Sequence, residues 1–227
     1  MQKEVREALK DSLAILPGYL VLGMGFGILM DSKGFSFLHT LVMSVFIYAG
    51  SMQYVGIDLL TGSASLITAF LMTVMINIRH LFYGIGMLKE YSTIKKHRLY
   101  DIFALTDETF SIVCSKSFSQ MNKDTYCFHL SLFNHLWWVT GSLTGAFLGD
   151  ILPFNSTGID FSMTALFIVV VLSQWEIGKE HLTVILSFLI SFLCLFLFGK
   201  DNFLIWSMFF ITFMLFILKR IRGNSDA

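Results

Sequence analysis

The sequence predicts an all-α, polytopic integral membrane protein of about seven transmembrane helices plus one short re-entrant or half-crossing polar segment. Three observations predict it. Of the 227 residues, 55% are hydrophobic and only 14% charged, against about 25% charged in soluble chains, so there is too little polar surface to face water all round. The charges are clustered, leaving seven runs without Asp, Glu, Lys or Arg: residues 12–30, 34–57, 59–78, 125–149, 161–175, 181–199 and 202–218. About 20 helical residues cross a hydrocarbon core of ~30 Å, and most of these runs are that long or nearly so. They are also continuously apolar, whereas barrel strands would alternate at period two. The balance of 16 Lys+Arg against 16 Asp+Glu supplies no basic field for nucleic acid, and the hydrophobic excess excludes disorder. Cys114, Cys127 and Cys194 form an odd set without CxxC spacing, which reads as apolar filler and not as a disulfide framework.

The chain reads as a single transmembrane domain, 1–227. Residues 1–11 carry Lys3, Glu4, Arg6, Glu7, Lys10 and Asp11, a mixed-charge amphipathic lead-in with no cationic region feeding a cleavage site, so the first span is expected to stay. Lys89, Lys95, Lys96 and Arg98 fill the loop 89–101, and Lys219, Arg220 and Arg222 the tail 219–227. The positive-inside rule puts loop and tail in the cytoplasm, with Arg98 and Arg220 on one face and Asp150 and Asp160 on the other. That parity needs an even number of crossings in between, and four runs supply it if the short acidic stretch 103–118 is a half-helix buried in protein. Three spans ahead of the loop would place the N-terminus outside. A faint internal echo, Gly23, Gly25, Gly27, Gly34 and Gln53 against Gly141, Gly145, Gly149, Gly158 and Gln174, is what an inverted repeat would leave. The spacing of Gly141, Gly145 and Gly149 equally suits a close helix–helix seam.

Four places carry polar groups where lipid tolerates few. Arg79 follows twenty uncharged residues and precedes nine, and a lone Arg in lipid costs at least ~2.5 kcal/mol. It either snorkels toward the loop or serves a site with Asn77, His80 and Tyr83, which share its turn and offer donors to a carboxylate. Asp107 and Glu108 are adjacent carboxylates in an apolar run. Thr106 with these two can be a helix cap, and either acid can be a proton-coupling group, because desolvation and like charge favour the protonated form. Gly50, Ser51 and Gln53 interrupt the second run at its centre, where a helix can unwind and offer backbone groups to substrate, or simply pack closely. These residues, Arg79, Asn77, His80, Gln53, Gly50 and Ser51, are the substrate-binding candidates.

Other chemistry finds no support. There is no Walker loop, GxSxG, HExxH or CxxC, and His129 and His135 are six apart, which is not one helix face. No metal, cofactor or catalytic residue is expected. Transport leads, the alternatives being a non-transporting membrane scaffold or an intramembrane enzyme using Asp107 or Glu108. Four motifs in order, AGSMQ at 49–53, NIRHLFYG at 77–84, TDETF at 106–110 and GIDFSMTALF at 158–167, resemble the AzlC family, the large subunits of branched-chain amino acid permeases of the LIV-E type. With Pro17 and the glycines at 23–27, the resemblance runs to Phe167; beyond it only hydrophobicity matches. It implies export of valine, leucine, isoleucine or analogues across the bacterial inner membrane, with a small hydrophobic partner of the AzlD type. Thr164, ahead of the ALF in the fourth motif, departs from the family's proline-like or apolar residue, which leaves the preferred amino acid open.

Overall fold

The computed structural model describes residues 2–62, 65–119, 121–151 and 181–223, with residues 161, 164, 168, 171, 172 and 175 in between. Gly158, Asp160, Gln174, most of the run 161–175 and residues 224–227 lie outside the described residues. All regular structure described is helical. The chain forms two compact units, Met1–Leu166 and Phe167–Ala227.

In the first unit, α1 (Gln2–Leu13) buries Ala8 and Ser12 and leaves Lys3, Arg6 and Lys10 exposed. A bend of 59° leads into α2 (Leu16–Ser32), with Pro17 in its first turn, where a missing N–H costs nothing. The dominant packing is between α2 and α8 (Lys123–Ile151). Here glycine is required: a Cβ on Gly27 would lie 2.0 Å from the Ser142 carbonyl oxygen, and one on Gly145 2.1 Å from the Met24 carbonyl oxygen. The two backbones touch, as small-residue seams permit. Gly23 meets 141–142, Gly27 meets 145–146, and Gly149 meets Asp31, so the two helices run parallel. The glycine echo is therefore not an inverted repeat of these segments, which would set them antiparallel; the glycines recur because they face one another.

With about 43 Å of length at 1.5 Å per residue, α8 serves as a ruler, its Lys123 end near and its Ile151 end far. After α2 the chain turns at the far end through Gly34, whose φ of 81° suits glycine. Next, α3 (Phe37–Phe46) descends until the Ser44 carbonyl lies 3.1 Å from His135 Nε2. There the helix breaks, with Tyr48 at φ 40°. At the level of Trp138, against whose ring Gly50 packs, α4 (Gly50–Thr61) begins. It returns to the far end: Gly56 faces the Met43 methyl and Tyr54 donates to the Leu22 carbonyl at 2.7 Å. Chain reach demands this. Helix α5 (Leu66–Ser92) touches Ser51 at Arg79 and buries Tyr91 with α1 and the start of α8 at the near end, so its own start lies about 20 Å toward the far end. The four-residue link 62–65 can meet it only from there.

A second hairpin enters from the near end. The Lys95 and Lys96 N–H groups donate to Asp124 at 3.2 and 3.1 Å; α6 (Arg98–Phe103) then carries Tyr100 to His135 at 3.0 Å. From Thr106, α7 (Asp107–Ser115) leads back, past Asn134, which donates to Thr109, and Met87, which meets Cys114, to an ion pair of Lys116 with Glu7 and Asp11. The tips meet at mid-height, where the Tyr48 and Phe103 rings are 6.4 Å apart.

Three expectations change accordingly. The run 34–57 is two half-helices and not one span, because the turn at Tyr48 reverses the chain. The boundary expected at Asp58 falls instead at 62–65, since α4 continues through Asp58 to Thr61. Helix α1 lies at the same end as the basic loop, with the Asn122 N–H donating to Glu4, where three helices running end to end would have put it at the other.

In the second unit α9 (His181–Gly223) is broken at Gly199, φ 70°. Among the described residues, His181–Gly199 is the one helix long and apolar enough to cross a membrane alone; α1 with α2, and the two halves of α5, bent by 45° between Leu81 and Tyr83, qualify as bent pairs.

Candidate functional site

Two half-helices, α4 and α7, point their N-termini at mid-height of the first unit. Each such terminus carries about half a positive charge and orphan N–H groups. Thr106 caps α7, its hydroxyl accepting from the Thr109 N–H at 3.3 Å; Asp107 and Glu108 fill the first turn. The first turn of α4 has no side-chain cap, so Gly50, Ser51 and Met52 present their N–H groups uncapped.

Arg79 joins the two. Its Nη1 donates to Asp107 Oδ2 at 2.6 Å and its Nη2 to Ser51 Oγ at 2.7 Å, while its Nε is buried without a partner. The Arg79 and Asp107 side chains keep 33% and 31% of their surface exposed, so a small molecule can reach the pair. Tyr83, one turn after Arg79, stacks its ring on Phe110 of α7 at 4.8 Å, with its hydroxyl beside Asp107. Glu108 points the other way and accepts from Tyr19 Oη at 2.7 Å; the same hydroxyl lies 2.9 Å from Thr106 Oγ1.

Of the expected residues, Arg79, Asp107, Ser51 and the Gly50 backbone are brought together. Gln53 is fully buried on the opposite face of α4, its Oε1 accepting from Trp138 Nε1 at 2.9 Å and its Nε2 unpartnered. His80 turns to the Asn77 carbonyl of its own helix at 3.3 Å and packs on Tyr83; no hydrogen bond from Asn77 or His80 to another element is seen among the described residues. Tyr19, Tyr48, Asn134 and Trp138 escaped the sequence reading, and His135 entered it only as a rejected partner of His129. The 125–149 run did signal them: Asn134, His135 and Trp138 are polar-bearing groups spaced by one and three residues near the centre of a span.

A family model described as AzlC protein matches residues 14–152, the stretch that contains both hairpins. The branched-chain amino acid transport protein AzlC of Bacillus subtilis is 40% identical over 216 residues, 95% of this chain and 85% of that one. An uncharacterized membrane protein of Haemophilus influenzae is 41% identical over 196 residues, 86% and 80% of the two chains. The inner membrane protein YgaZ of Escherichia coli is 30% identical over 186 residues, 78% and 76%. No solved structure matches.

Proposed function

The chain belongs to the AzlC family, and from that premise we propose that it is the large subunit of a secondary transporter that exports branched-chain amino acids across the bacterial inner membrane. The observation that carries this reading is the Arg79–Asp107 pair spanning two opposed hairpin tips. An amino acid is a zwitterion of matching geometry. Its carboxylate would accept from Arg79 Nε and one Nη, a charge-assisted and bidentate contact, and from the uncapped N–H groups of α4. Its ammonium would donate to Asp107, and the branched side chain would lie against Tyr83 and Phe110. No covalent step is needed.

Because Arg79 holds Ser51 on one hairpin and Asp107 on the other, it is a latch between them. Substrate that takes over the guanidinium would release the hairpins, one opening toward each face, which is alternating access around a fixed mid-height site. A proton on Asp107 would cancel the charge that Arg79 answers, and Glu108 stands beside it as the second coupling candidate; this gives export a proton-driven form. A multi-pass arrangement of about seven apolar segments, with 34–57 re-entrant from outside and 103–118 from the cytoplasm, and a small AzlD-type partner complete the proposal.

The test is counterflow of labelled leucine in liposomes, with and without the co-expressed small subunit. Leucine accumulation by the wild type and its loss in a well-inserted Arg79→Gln variant are expected. No counterflow in either preparation would favour a scaffold or an enzyme, and normal flux in Arg79→Gln would refute the assigned role.

A further inference from the structure

Asp101 stands among basic residues in the chain, yet it is fully buried, with the Ser131 hydroxyl as the hydrogen-bonding group beside its carboxyl. It lies on α6, at the foot of the near-end hairpin. The groups that face it are Asp124, Cys127 and Ser131 of α8 and Tyr91 of α5; Tyr100 of its own helix stands close. The Glu90–Lys123 ion pair lies just beyond Cys127. Among the described residues no cation is within ion-pair distance of Asp101. One of the facing groups, Tyr91 Oη, is itself buried and unpartnered. A carboxylate without a cation in such a place loses its hydration and gains one hydroxyl in return, with Asp124 facing it, so the neutral acid is the form that fits.

There is also a way in. A cavity of about 260 Å³ at the near end is lined by His97, Asn122, Asp124 and His129, among others. Asp124 belongs to both places: its Oδ2 accepts the loop N–H groups, and its Oδ1 is buried and unpartnered. His97, His129 and Asp124 line this cavity, and Asp124 also acts electrostatically on Asp101.

We propose that Asp101 is a proton-binding site, reached from this cavity through Asp124, and that its proton is held while the α6–α7 hairpin is seated. The step is a simple exchange: the Asp101 carboxylate takes a proton from water in the cavity and returns it when the hairpin lifts and the carboxyl is hydrated. Linkage makes the coupling obligatory. If seating the hairpin buries the group, seating favours the proton and the proton favours seating by the same factor. Burial, with Asp124 alongside, pushes the carboxyl from 3.8 up to about 7. The site differs from the Arg79–Asp107 pair and does not depend on what that pair binds.

The test uses the purified full-length protein without substrate. Infrared difference spectra between about pH 5 and about pH 8 should show the carbonyl band of a protonated carboxylic acid, lost at the higher pH and absent in Asp101→Asn. The melting temperature supplies an independent readout. A raised folded-state pKa means the wild type loses stability as pH climbs from about 4 to about 7, so Asp101→Asn should gain on it across that window and by a constant margin above it. If Asp101→Asn does not fold, Asp124→Asn should move the infrared midpoint to lower pH by removing the facing negative charge. An unchanged carboxyl band in Asp101→Asn, a pH-independent melting difference, or stabilisation of the wild type by sodium at fixed pH would each overturn the proposal. Leucine counterflow in the same preparations separates this failure from that of the transport reading: a protein can lose the band and still exchange leucine, or keep it and not transport.

Discussion

Arg79 shows how a single side chain can be tolerated in an apolar run. Its charge would cost at least ~2.5 kcal/mol in lipid, and the structure offsets that with Asp107 at 2.6 Å and Ser51 at 2.7 Å. Removing one partner of a fully buried pair costs about 3–5 kcal/mol; with about a third of each side chain exposed, less is expected here. Arg79→Gln should therefore lower the melting temperature in detergent, and the double variant Arg79→Gln/Asp107→Asn should recover part of the loss, because no unpaired charge remains. A double variant less stable than the single one would mean the pair does not act as drawn. Arg79→Lys keeps the charge but cannot hold two partners in a fork, so leucine flux per folded molecule should fall well below wild type while stability falls little.

At the scale of the helix, the α2–α8 seam and the α7 cap separate packing from chemistry. A methyl group on Gly27 or Gly145 meets a backbone oxygen at 2.0 or 2.1 Å, which no rotamer change relieves. Gly27→Ala and Gly145→Ala should each cost on the order of 1–3 kcal/mol as overpacking, read as a lower yield of folded protein and a lower melting temperature. Gly84→Ala is the control, since nothing lies within 4 Å of that position and alanine is the better helix former; an equal loss there would take the effect away from the seam. Thr106→Ala removes the α7 cap for about 0.5–2 kcal/mol. It also takes away a neighbour of the Tyr19 hydroxyl, which keeps Glu108 as its acceptor. Stability should drop with gradient-driven flux per folded molecule retained; a selective loss of flux would show that the cap and the coupling acid act as one unit.

For the whole first unit, the hairpins predict a labelling pattern that a ladder of full crossings does not. Single cysteines at Lys33 and Ser65, in a background with Cys114, Cys127 and Cys194 replaced by Ala, should react with an impermeant maleimide from one face of the membrane. Cysteines at Lys3 and Arg98 should react from the other. Labelling of positions 33 and 65 from opposite faces would turn 34–57 back into a full span, and labelling of 3 and 98 from opposite faces would restore the external N-terminus.

Membrane class, helical class and family are legible in the residues alone: burying backbone polar groups in hydrocarbon leaves helices as the economical solution for continuously apolar runs, and the four motifs stand in linear order. The sequence also marked Arg79, Ser51 and Asp107 as out of place, since a charge or a small polar group in an apolar run is visible without coordinates. Direction was not visible. A helix that breaks at Tyr48 can continue or turn back, and only the packing of Gly56 on Met43 and the reach from Thr61 to Leu66 decide for the return. The glycines at 23–27 and 141–149 look alike whether they repeat or pair, and the parallel register shows pairing. Asp101 sits among basic neighbours in the sequence, yet α6 folds against α8 with Asp101 buried and, among the described residues, in no ion pair, because which face a short helix hides depends on the partner it meets and not on its composition.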